Sequence, residues 1–97
     1  MADESGFAAP PFDAARALEQ FKRALRDLRL AERGGGFELR GRRVAEAAID
    51  GGAVAVRIAK RPMLTPEWDR FAIRSAADQR KALDELKKRL GRWEREE

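Results

Sequence analysis

The sequence predicts an α+β domain: a helix, a three- or four-stranded antiparallel sheet and a second helix, with both helices on one face of the sheet. Three observations carry this. Apolar residues recur at steps of four and three near each end of the chain, they alternate at steps of two between, and Gly-rich turn signals separate the alternating runs. A chain of 97 residues, 43% hydrophobic and 39% charged, supplies one core, because chains of this size seldom divide into two.

Residues 1–12 combine acids, Ala, Gly and the pair Pro10-Pro11 without any period, and read as a flexible N-terminal tail that Phe7 or Phe12 can anchor. The single domain is expected over residues 13–93, with 94–97 as a frayed C-terminus. Asp13 is a good N-cap, and Ala14, Leu18, Phe21, Leu25 and Leu28 fall on one helical face behind it. Leu30 falls off that stripe. Arg33 followed by Gly34-Gly35-Gly36 reads as a last-turn cation and a helix stop, which places the first helix over 14–33.

Phe37 and Leu39 alternate with Glu38 and Arg40, and Val54, Val56 and Ile58 alternate with Ala55, Arg57 and Ala59. A two-residue turn at Gly51-Gly52 sets Ile49 opposite Val54, Ala47 opposite Val56 and Ala45 opposite Ile58. Glu46 then faces Arg57, an opposite-charge pair that supports this register. The Ala-rich stretch 44–49 also suits a short helix, and strand is the favoured reading. Pro62 and Pro66 bracket a stiffened loop, and Phe71 and Ile73 alternate with Arg70, Ala72 and Arg74 in a short further strand. Ser75 with Asp78 resembles a capping box that opens a second helix, whose apolar face continues through Leu83, Leu86, Leu90 and Trp93. Glu85 and Arg89 are spaced as a surface ion pair on that helix.

This element order is similar to that of double-stranded RNA-binding domains. The second helix of those domains opens with a basic cluster, whereas here it opens Ser75-Ala76-Ala77-Asp78, so the similarity does not extend to their phosphate contacts.

With no Cys and no His, the chain offers no thiolate nucleophile, no disulfide and none of the usual transition-metal ligands. Ser5 lies in the tail, Ser75 is accounted for as a cap, and Glu67 with Asp69 beside Pro66 reads as a solvated turn, so no catalytic constellation forms. Neither enzyme chemistry nor a cofactor nor a metal is expected. The acidic opening Met1–Gly6 lacks the basic and apolar regions of a signal peptide, and no apolar run spans a bilayer, so a cytoplasmic protein without membrane contact is expected.

Two features point to binding. Extending the hairpin register sets Arg43 opposite Lys60 and Arg42 opposite Arg61, two like-charge pairs that something must offset. Splayed strands, water, Glu67, Asp69 or the acidic tail would do so. A bound anion such as nucleic-acid phosphate would also do so, over a patch of Arg40, Arg42, Arg43, Arg57, Lys60 and Arg61. The second feature is the proline-bracketed loop with Met63, Leu64 and Trp68, in which large apolar groups sit on a stiffened segment suited to a protein partner. The leading expectation is a non-catalytic interaction domain, binding an unknown protein partner or itself. The alternative is a nucleic-acid-binding module using the basic hairpin end.

Overall fold

The computed structural model describes residues 11–95. The expected tail and frayed C-terminus lie outside these residues except at their inner ends: Phe12 packs against the core, and Glu94 and Arg95 are helical.

Asp13 caps α1 (Ala14–Asp27), its Oδ1 accepting from the Arg16 amide at 3.0 Å. The helix ends six residues earlier than the glycines suggest. Leu30 N–H donates to Leu25 O and Arg29 N–H to Arg26 O, with Arg29 in the left-handed conformation at φ 68. This is a Schellman termination with Arg in the position that Gly usually takes. Leu30 is therefore released from the helical stripe and buried as the apolar residue just past the cap.

The released chain forms strands. β1 (Ala31–Arg33), β2 (Gly36–Leu39), β3 (Arg42–Asp50), β4 (Ala53–Ala59) and β5 (Trp68–Ile73) make a five-stranded antiparallel sheet in the order β1-β2-β3-β4-β5, not one of three or four strands. Gly34 and Gly35, at φ 57 and 82, form the two-residue turn between β1 and β2, not the helix stop that the sequence suggests. Two successive positive φ angles match the right-handed twist of the flanking strands.

The β3–β4 register is the expected one, with Glu46↔Arg57, Ala47↔Val56 and Ile49↔Val54, and residues 44–49 are strand. Between β2 and β3 the register shifts from Phe37↔Ala45 to Glu38↔Arg43, so Val44 is an inserted residue. Such a bulge turns two successive side chains to one side. Val44 and Ala45 are both fully buried, and Arg43 comes to share a face with Glu46 three residues on.

α2 (Ala76–Arg95) opens with reciprocal caps: Ser75 Oγ accepts from Asp78 N–H at 3.1 Å, and Asp78 Oδ2 accepts from Arg74 N–H at 3.0 Å. Ala17, Phe21 and Leu25 of α1 and Ala82, Leu86 and Trp93 of α2 are buried in one cluster with the strand residues Phe37, Val54, Val56, Ile58 and Ile73. No helix among the described residues is long and apolar enough to cross a membrane.

Candidate binding surfaces

Three of the six cations expected to form one patch are paired with carboxylates. Arg43 and Arg57 both bond Glu46. Arg43 Nη1 reaches Glu46 Oε2 at 2.9 Å, and Arg57 donates to Oε1 from Nε at 3.0 Å and also from Nη2. Arg43 Nη2 continues to Arg33 O at 2.9 Å, tying the bulge to the β1–β2 turn. The guanidinium lies over Gly36, where a Cβ would fall 2.5 Å from Arg43 Nη1. Burial pushes the Glu46 carboxyl pKa up, but hydrogen bonds from Arg57 and Arg43, reinforced by their charges, outweigh it and hold it below the usual carboxylate value.

Arg57 also stacks over Trp68, 4.8 Å from the ring centroid. Its cross-strand partner on β5 is Arg70, so the like-charge pair of this sheet is Arg57↔Arg70, with Glu46 compensating from the other side. The pairs expected at the hairpin end do not form. The β3–β4 ladder starts at Ala45↔Ile58, while Arg42 and Arg43 pair with Leu39 and Glu38 on β2. Arg40 stands in the β2–β3 turn at φ 53.

Lys60 is neutralised by Asp69, Nζ to Oδ1 at 2.8 Å. Asp69 Oδ2 also accepts from Arg89 Nη2 at 2.7 Å. The hydrogen bonds from Lys60 and then Arg89 hold the Asp69 carboxyl below its ordinary pKa. Arg89, 8% exposed, is the one buried charged residue among the described residues: Nε bonds Glu85 Oε2 at 2.7 Å, and Nη1 bonds Ala59 O at 3.1 Å and Ile58 O at 3.4 Å. Burial alone would lower its pKa, and the two carboxylates more than reverse that, so it stays charged. The Glu85–Arg89 spacing identified a pair but placed it on the surface. The overlooked signal is that Arg89 lies three residues after Leu86 and four before Trp93, on the buried stripe itself.

The proline-bracketed loop is closed at its base by Lys60 N–H donating to Glu67 O at 2.8 Å. Leu64 is 82% exposed and Met63 45%, whereas Trp68 is half-buried against the core beneath Arg57. Beside the loop, Lys60, Arg61, Arg92 and Trp93 line a cleft of about 330 Å³. Arg92 is a second residue that the sequence reading overlooked. Among the described residues no group of three His, Cys, Asp or Glu is placed to hold a metal ion.

No protein-family model matches the chain, and no curated protein or solved structure is significantly similar to it.

Proposed function

We propose that this domain is a non-catalytic protein-interaction module that engages its partner through the loop at residues 62–66, with Leu64 and Met63 as the apolar anchors. The observation that carries this reading is the 82% exposure of Leu64 on a segment held by two prolines and by the Lys60–Glu67 backbone bond. A stiff loop loses little entropy on binding, so an apolar anchor on it contributes more of its burial to affinity. Both helices take one face of the sheet in this reading. Arg89 reaches from α2 to the carbonyls of Ile58 and Ala59, and α1 buries its stripe in the same cluster, which leaves the face bearing Glu46, Arg57 and Trp68 beside the loop.

The partner is a different protein with an acidic, apolar contact segment. A symmetric contact between two copies centred on this loop would bring Arg61 toward Arg61, and the chain as a whole carries a net charge of +4. Nucleic-acid binding draws less support, because Arg43, Arg57 and Lys60 spend their charge on Glu46 and Asp69. Sedimentation of the purified chain, followed by calorimetric titration with a partner purified after capture, tests the reading. The expected result is a monomer whose affinity for that partner falls at least tenfold in Leu64→Ser, at unchanged thermal stability. A dimer that Leu64→Ser dissociates, or equal affinity in the variant, overturns it.

A further inference from the structure

We propose that the cleft between the start of the proline loop and the end of α2 is a binding site for a phosphoryl oxyanion, held by Arg61, Arg92 and the indole N–H of Trp93, with Lys60, already paired to Asp69, as a further lining residue. Three cationic residues from two separate elements line one cleft together with Trp93. The carboxylates nearby are already engaged: Asp69 accepts from both Lys60 and Arg89, and Glu85 accepts from Arg89. That chain of pairs leaves Arg61 and Arg92 without a carboxylate among the described residues. The negative end of α2 accounts for a cation at Arg92, but not for Arg61, which a different segment brings to the same cleft.

A second and independent observation comes from Trp93. It is 3% exposed, and its Nε1 is the one buried side-chain polar atom among the described residues that has no hydrogen-bond partner. An indole N–H can only donate, so what it lacks is an acceptor. A buried donor left unmatched in a native fold calls for an unseen water or ion. Beside Arg61 and Arg92, the acceptor that satisfies both the donor and the charge is an oxyanion. Guanidinium forks match phosphoryl oxygens bidentately, and two of them together favour a dianion over a carboxylate. At about 330 Å³ the cleft sits at the small end of ligand sites, which suits a phosphate or a compact phosphate monoester. This site does not depend on the apolar anchors Met63 and Leu64, so it stands or falls separately from the partner reading.

The test uses the whole chain labelled with nitrogen-15. Only Trp68 and Trp93 give indole N–H cross-peaks, and Trp68→Phe assigns them. Inorganic phosphate, O-phosphoserine and acetate are titrated in parallel against chloride at matched ionic strength. The expected result is a saturable downfield movement of the Trp93 indole proton with phosphate or phosphoserine, with half-saturation at about 1 mM or below. Tighter binding of phosphoserine would identify an ester as the ligand, and equal binding would identify free phosphate. Arg61→Gln with Arg92→Gln should weaken binding at least tenfold while the spectrum stays dispersed, and Arg61→Gln alone serves if the pair fails to fold. No phosphate-specific movement, equal movement with chloride or acetate, or unchanged affinity in a folded variant overturns the proposal.

Discussion

Arg89 on α2 and Asp69 on β5 meet at 2.7 Å, and this contact joins a helix to the edge strand of the sheet while the same guanidinium reaches the β4 carbonyls of Ala59 and Ile58. Removing one member of a buried pair leaves the other groups unmatched, which costs more than the pair itself contributes. Asp69 is partly solvated and keeps Lys60, so Arg89→Ala is expected to cost about 2–3 kcal/mol, less than a fully buried pair would. Arg89→Met, which retains the apolar stem, should recover part of that loss. Urea unfolding of the three proteins checks both. A cost below about 0.5 kcal/mol for Arg89→Ala would show that the contact does not hold the helix down.

Gly36 and Arg43 are coupled by space. A Cβ at Gly36 would collide with the guanidinium that bonds Glu46 and Arg33 O, so Gly36→Ala should lose about 1–2 kcal/mol by displacing it. In an Arg43→Ala background the collision is gone, and Ala then stabilises the strand relative to Gly by about 0.5–1 kcal/mol. The double-mutant cycle therefore predicts a change of sign. An additive cycle would mean that the two residues do not interact.

Arg29 stands at φ 68 just past α1, where a side chain is strained and Gly is not. Arg29→Gly should raise stability by roughly 0.5–1 kcal/mol, since relief of the left-handed strain exceeds the added entropy of the unfolded chain. For a chain of this size that is several degrees in Tm. A lower Tm in the variant would show that the Arg29 side chain makes a contribution that outweighs its backbone strain.

The same residue explains what the sequence concealed. Periodicity reports which face is buried, and it located both helices, the β3–β4 hairpin and the Glu46–Arg57 pair correctly. A Schellman termination made with Arg carries no compositional signal, whereas Gly34-Gly35-Gly36 carries a strong one that belongs to a hairpin turn. The glycine signal therefore carries the expected helix across β1 and lowers the expected strand count. The two like-charge pairs fail for a related reason. An unbroken register through Arg42 and Arg43 leads to Lys60 and Arg61, but the ladder ends at Ala45↔Ile58 and Val44 is an inserted residue. No local pattern announces a bulge. Arg61 and Arg92 are brought together by tertiary structure alone, and one-dimensional spacing does not reach that far.

The loop variants separate an anchor from a core residue. Leu64→Ser should change stability by less than about 0.5 kcal/mol, because a side chain 82% exposed contributes little to folding. Trp68→Ala should cost about 1–3 kcal/mol, because the ring packs on the core and carries the Arg57 guanidinium. Thermal denaturation of both checks this, and a comparable loss in the two would move Leu64 out of the binding surface and into the fold.

Glu46 and Asp69 are expected to contribute to the acid sensitivity of the domain. Both carboxyls titrate below their ordinary values in the folded chain, held there by Arg57 and Arg43 in one case and by Lys60 and Arg89 in the other. The unfolded chain binds protons on these residues first as the pH falls, near the ordinary carboxylate pKa of about 4. Their contribution is therefore complete above that pH and is lost as the pH drops through the lower folded-state values, so stability should fall on acidification from about pH 5 to pH 3. Glu46→Gln with Asp69→Asn removes both titrations. The double variant should be less stable than the parent at pH 7, where the ion pairs are intact, and should show a shallower loss below pH 5. Chemical unfolding at pH 7, 5, 4 and 3 measures both slopes, and parallel slopes would assign the acid sensitivity to other carboxylates.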